Sequence, residues 1–492
     1  MERTNAWNTY DLSMRGSCMD FADDYKDFLG NCKTERECVD RIVNEAEENG
    51  YIELSEARRE RKTLAAGDRV YSVWMNKSVA LFEIGSEPIE SGLNILGAHI
   101  DSPRLDVKQN PLYEDSGIAY LDTHYYGGIK KYQYVTLPLA IHGVIVKKSG
   151  ETVIVNVGED EDDPVFFVSD LLVHLSADQL KKPGSAVIEG EALDVVVGNR
   201  PILFDGAEPD GENKEKNDKT DSNKTDTNKK EANAKDSVRR SVLKILEDMY
   251  GITEADFESA ELEIVPAGRP RDAGFDRSMI LGYGQDDRVC AYASHRAQME
   301  SHGLQRTSCT LLVDKEEIGS VGATGMRSRF FENALAEVMD LCGSYSELGL
   351  RRALANSCML SADVGAAFDP SFASAFEKKN TAYLGKGMVF HKFTGSRGKA
   401  GSNDANAEYI AYLRDLFERA SVCSQTAEVG RVDQGGGGTI AYILSLYGMN
   451  VVDCGVPVLS MHAPWEAVNK ADLFEAYRGY KAFLQGASFT NT

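Results

Sequence analysis

The 492-residue sequence contains no long apolar run. Its longest, Tyr134 to Val146, is interrupted by Thr136, Pro138, His142 and Gly143, so nothing approaches the roughly 18 unbroken apolar residues of a membrane-spanning helix. The N-terminus (MERTNAWNTYDLSMRG) lacks the basic start and apolar centre of a secretory signal. Positive charge is in short supply: 54 Lys and Arg stand against 77 Asp and Glu, a net charge of −23. A balance that acidic argues against nucleic acid or an anionic membrane as the main partner. No Cys-x-x-Cys pair occurs, and the nine cysteines are an odd number scattered along the chain. That speaks against a zinc ribbon or redox pair and suits reduced, partly buried thiols. A cytoplasmic protein is expected. Also missing are the Gly-x-Ser-x-Gly elbow, the His-Glu-x-x-His helix and the Walker phosphate loop, which weakens serine hydrolase, zincin and nucleotide hydrolase readings together.

What is present reads as a globular chain, 42% apolar and 27% charged, long enough for about two to four domains. Thr34-Glu35-Arg36-Glu37 has the capping-box pattern ahead of apolar Cys38, Ile42 and Val43. Arg69 to Ile84 is rich in β-branched and aromatic residues around Asn76-Lys77, which predicts a hairpin. From about 107 to 273 short β-like runs follow one another. Within them, residues 206–237 form a polar tract that cannot bury enough apolar surface to offset its ordering entropy, so a disordered loop is expected there. After about 274 strand-like runs alternate with helical spacing in Val289 to Met299, Phe330 to Leu341, Ala405 to Ala420 and Leu473 to Leu484. Such alternation predicts an α/β sandwich around a largely parallel or mixed sheet.

Five short apolar runs end in potential metal ligands. They lead to His99 and Asp101, to Asp286-Asp287, to Glu316-Glu317, to Asp363 and to His462. Each alone has an ordinary explanation: a hydrogen-bonded His-x-Asp pair, an aspartate helix cap, a solvated turn. Together they place acid or imidazole at strand ends five times over, where ligands bind in open α/β sheets. Two divalent ions about 3.5–4 Å apart need a bridging carboxylate and further N and O ligands, which two His and three carboxylates supply. A further carboxylate must take the proton of the attacking water and return it to the leaving amine, and adjacent glutamates can divide those tasks.

GAHIDSPRLDVK, QDDRV, DKEEIGSVGATG, SADVG and LSMHAPWE resemble the motifs of the aspartyl aminopeptidase family, a branch of the co-catalytic zinc exopeptidases. The likeness extends through VTLPLAIHG, DPVFFVSDLLVHL and GGGGTIAYILS, over nearly the whole chain. It implies a zinc-exopeptidase-like α/β/α sandwich formed by residues 1–106 and 274–492, with a β-rich dimerisation domain, 107–273, inserted between. His99 and Asp363 would bind one metal, Glu317 and His462 the other, and Asp286 both; two zinc ions per subunit are the implied cofactor. Glu316 would be general base and acid in attack by a dimetal-bound hydroxide, with Asp101 orienting a ligand or tuning the base. In this family a histidine of the inserted domain serves the neighbouring subunit's oxyanion, and His142 matches it. Homodimers joined into tetrahedral homododecamers are implied, acting on peptides with a free N-terminus.

This chain has Gln285-Asp286-Asp287-Arg288 where better-known members carry Leu-Asp-Asn, so the choice of Asp286 over Asp287 rests on register. Family members commonly remove N-terminal Asp or Glu, and related branches prefer neutral residues. An acidic preference at −23 needs a local basic pocket, and Lys386, His391, Lys392, Arg397 and Lys399 form the densest basic cluster near the catalytic segments. Its alternative is a solvated loop. A related dinuclear carboxypeptidase or deacylase would share the same ligands, whereas a non-catalytic assembly protein would be expected to have lost some.

Overall fold

Strands buried on both faces lose the alternation of apolar and polar residues, and four segments of this chain are buried at every position. Ser308–Val313, Asn94–His99, Cys358–Ser361 and Asn450–Gly455 lie side by side in this order, all parallel. They are the centre of a nine-stranded mixed sheet. The structure, a computed structural model, describes residues 3–202, 236–395 and 397–489. Except for Asp236 and Ser237, the tract 206–237 lies outside the described residues.

Alternate residues of the central strands enter different cores. Leu96, Ala98, Leu312, Leu360 and Val452 pack with helices Leu12–Asn31, Gln285–Met299 and Lys470–Gly486. Ile95, Leu311, Met359 and Val451 pack with helices Phe330–Leu341 and Glu347–Asn356. The result is a three-layer α/β/α arrangement. The hairpin on one side of the sheet is Arg69–Trp74 paired antiparallel with Ser78–Glu83. Helix Glu35–Glu48 starts from the capping box: Glu37 N–H donates to Thr34 Oγ1 at 3.2 Å and Thr34 N–H to Glu37 Oε2 at 3.0 Å.

The chain divides into two compact units, one formed by Met1–Pro103 and Arg269–Thr492, the other by Arg104–Gly268. These limits fall a few residues earlier than 107 and 273, because strand Arg104–Asp115 already belongs to the second unit's sheet while Arg271–Ala273 pairs with Met279–Gly282 in the first. The second unit carries a seven-stranded sheet whose pairings are all antiparallel, around Leu105, Leu121, Leu139, Ile141, Val195 and Ile264. All nine cysteines are free, with Cys342 and Cys423 partly exposed and the rest buried. Among the described residues no helix is long and apolar enough to cross a membrane.

Candidate metal centre

Three of the five ligand-bearing segments end strands of the central sheet. His99 closes Asn94–His99, the turn Glu316–Ile318 follows Ser308–Val313, and Asp363 follows Cys358–Ser361. The other two differ from the expectation of a single sheet. Asp286 follows Met279–Gly282, and His462 lies in the turn between Pro457–Leu459 and Glu466–Asn469, all strands of a separate five-stranded sheet. Glu466–Asn469 pairs antiparallel with both Pro457–Leu459 and Met279–Gly282, which joins the two segments in that second sheet.

These elements bring two imidazoles onto one carboxylate. Nε2 of His99 is 3.1 Å from Asp286 Oδ1, and Nε2 of His462 is 3.2 Å from Asp286 Oδ2. Asp363 Oδ1 stands 4.0 Å from His99 Nε2, and Glu317 Oε1 stands 3.5 Å from His462 Nε2. Ligand atoms of His99, Asp286 and Asp363 lie within 4.8 Å of one another, as do those of Asp286, Glu317 and His462. Asp287 turns away: its Oδ2 accepts the His99 backbone N–H at 3.4 Å, so register favours Asp286 as the shared group.

Asp101 organises the same rim. Its Oδ1 accepts Glu316 N–H at 3.1 Å and its Oδ2 accepts Glu317 N–H at 3.2 Å, while His99 Nδ1 lies 3.3 Å from Oδ1. Its carboxylate thereby fixes the glutamate turn, while its main-chain carbonyl, 3.0 Å from His99 Nδ1, orients the imidazole. Two further residues went unread in the sequence. Ser102 Oγ donates to the Asp286 carbonyl at 2.6 Å. Glu466, the last residue of LSMHAPWE, accepts Asp286 N–H on Oε2 at 3.1 Å and His462 N–H on Oε1 at 2.6 Å. Only its place four residues after a histidine could have marked it.

Electrostatics suit a cation. Burial pushes the Glu317 and Asp363 carboxyls well up, with nearby like charges adding to it. Burial likewise pushes Glu316 up to about 7, opposed by His99 and His462 and reinforced by Asp101 and Asp286. Asp286 is the exception: burial would raise it, but His462 and His99 hold it below the usual carboxylate range. Glu317 Oε1 is buried without a hydrogen-bond partner. Crowded carboxylates with an orphaned oxygen and two imidazoles match the donor set that divalent zinc takes.

The remaining expected residues lie as follows. His391 ends strand Met388–His391, buried, with its ring so close to Gly365 that a Cβ there would fall 2.3 Å from Cε1. Burial lowers its pKa to about 4. Lys386 Nζ donates to the Arg3 carbonyl at 2.7 Å, and Lys392, half exposed, pairs with Asp404, so both are engaged apart from the ligands. Lys399 also pairs with Asp404. His142, in the second unit, lies on strand Leu139–Val146 with Nε2 3.1 Å from Glu159 Oε1.

The model of the family described as Aminopeptidase I zinc metalloprotease (M18) matches residues 28–484. A probable M18 family aminopeptidase 1 of Clostridium acetobutylicum is 57% identical over 483 residues, 98% of each chain. The crystal structure of an M18-family aminopeptidase from Thermotoga maritima is similar at a TM-score of 0.88 and 39% identity, covering 99% of this chain and 100% of that one. That of aminopeptidase I from Clostridium acetobutylicum is similar at a TM-score of 0.86 and 53% identity, again over 99% and 100%.

Proposed function

Because this chain belongs to the M18 family and is a zinc-dependent aminopeptidase, we propose that it removes the N-terminal residue of peptides at a pair of divalent ions, most simply zinc. His99 and Asp363 would hold one ion, Glu317 and His462 the other, and Asp286 both. The observation that carries this reading is the shared Asp286 carboxylate, with one imidazole facing each oxygen. When bound, the ions would polarise the scissile carbonyl and lower the pKa of the attacking water.

Glu316 takes the water's proton and returns it to the departing nitrogen; a carboxyl pushed towards neutrality can do both. Asp101 keeps Glu316 and Glu317 on adjacent backbone amides so that one faces the water and the other the metal. The first unit is catalytic and the second mediates dimerisation. His142 of one copy would steady the oxyanion in the site of another. An exposed apolar stretch of the second unit supports self-association: Leu172, Val173 and Leu175 are 57%, 65% and 69% exposed. The assembly proposed is a homodimer repeated in a tetrahedral homododecamer.

Substrates carry acidic or neutral first residues. With Lys386 and Lys392 engaged elsewhere and His391 kept uncharged by burial, the neutral class is favoured at pH 7. Free and N-acetylated Leu-, Asp- and Glu-linked chromogenic substrates test the reading, with metal content measured alongside. Cleavage of free amines alone by a two-ion enzyme is the expected result. Release of acetate from the acetylated series, with the chromophore still attached, would replace it with a deacylase.

A further inference from the structure

The two proposed metal positions are built unequally. His99 and the approach to Asp363 are held in the central parallel ladder: His99 is registered with Val313, and Ala362 N–H donates to the Gly97 carbonyl at 2.6 Å. His462 sits outside any ladder, in a turn, with a backbone φ of +63° and a side chain 35% exposed. Its main-chain N–H is taken up by Glu466 at 2.6 Å. The other oxygen of the same carboxylate takes the N–H of Asp286 at 3.1 Å. Glu466 itself is 1% exposed and lies in a strand paired with Met279–Gly282, where it registers with Gly282. One buried carboxylate thus clasps the turn that carries His462 to the loop that carries the shared aspartate.

Resting on the two-ion reading, we infer that Glu466 is a positioning residue that sets the affinity of the Glu317–His462 position, and that this position is the one that exchanges its ion. The clasp needs two acceptor oxygens. A glutamine offers one, and its amide nitrogen would confront the remaining backbone N–H. The side chains reaching the ion stay in place chemically, but His462 loses its fixed approach. An aspartate keeps both oxygens on a shorter stem that cannot reach both amides.

The test uses the full-length protein, stripped with a chelator and titrated with Co2+ by calorimetry and by visible absorption, then with Zn2+. The parent should take two ions in separable steps. Glu466→Gln should take the first within about threefold of the parent and the second about 10- to 100-fold more weakly. Its kcat should recover when metal is raised by the same factor. Glu466→Asp should behave alike, and circular dichroism of the stripped proteins identifies any variant that fails to fold. Equal weakening of both steps, or no weakening of the second, overturns the inference while leaving two ions in place. A parent that takes a single ion overturns the two-ion reading itself.

Discussion

His99 and His462 approach the same carboxylate from opposite oxygens, at 3.1 Å and 3.2 Å. Each imidazole lies farther from its own partner acid, Asp363 at 4.0 Å from His99 and Glu317 at 3.5 Å from His462, than from Asp286. Removing that shared group disconnects the two halves of the centre. Asp286→Ala is expected to lose both ions under dialysis and all measurable turnover, checked by elemental analysis and a chromogenic assay.

Glu316→Gln separates proton transfer from metal binding. Two ions should remain, and kcat should fall about 100- to 10,000-fold, the range for losing a positioned general base. Retained turnover removes Glu316 from that role.

His142 gives a subunit-mixing experiment. His142→Ala should lower kcat about 100- to 1,000-fold, as losses of oxyanion donors do. Co-expression with Glu316→Gln should restore part of the activity, since a mixed pair of copies contains one intact site. Two inactive variants that stay inactive together would place His142 and Glu316 of a single copy in one site.

A pH prediction comes from Glu45, whose Oε2 lies 2.7 Å from His295 Nε2. Burial would raise this carboxyl, but His295 and Arg41 hold it down to about 2. A depressed carboxyl adds stability above its unfolded pKa and loses it as pH falls through the folded one. Glu45→Gln should therefore cost at most about 2–3 kcal/mol at pH 7 and far less near pH 2, read from denaturation midpoints at both values.

Much of the fold could be read from pattern alone. Phe330–Leu341 begins and ends where its spacing predicts, and Thr34 caps the helix it announces, because local rules decide both. Val289–Met299 is four residues short of the observed Gln285–Met299, since Asp286 and Asp287 depart from helical angles inside the first turn. The strand ends at His99, Glu316-Glu317 and Asp363 were legible as apolar runs that stop at polar groups. That Met279–Gly282 and Pro457–Leu459 form their own sheet was not, because pairing partners distant in sequence leave no periodic mark. Glu466 was hidden for another reason: it acts on backbone amides, and an acid that bonds amides looks like any other glutamate. For Lys386 and Lys392 the charge is visible in sequence, but the partners, the Arg3 carbonyl and Asp404, are not.

The ladder brings the segment ending at His99 between one that precedes Glu316 and one that precedes Asp363, and the final imidazole comes from residue 462. Ribosomes make these pieces in order, and residue 462 comes last among them. A chain that stops short of residue 462 therefore lacks the imidazole that faces the second oxygen of Asp286.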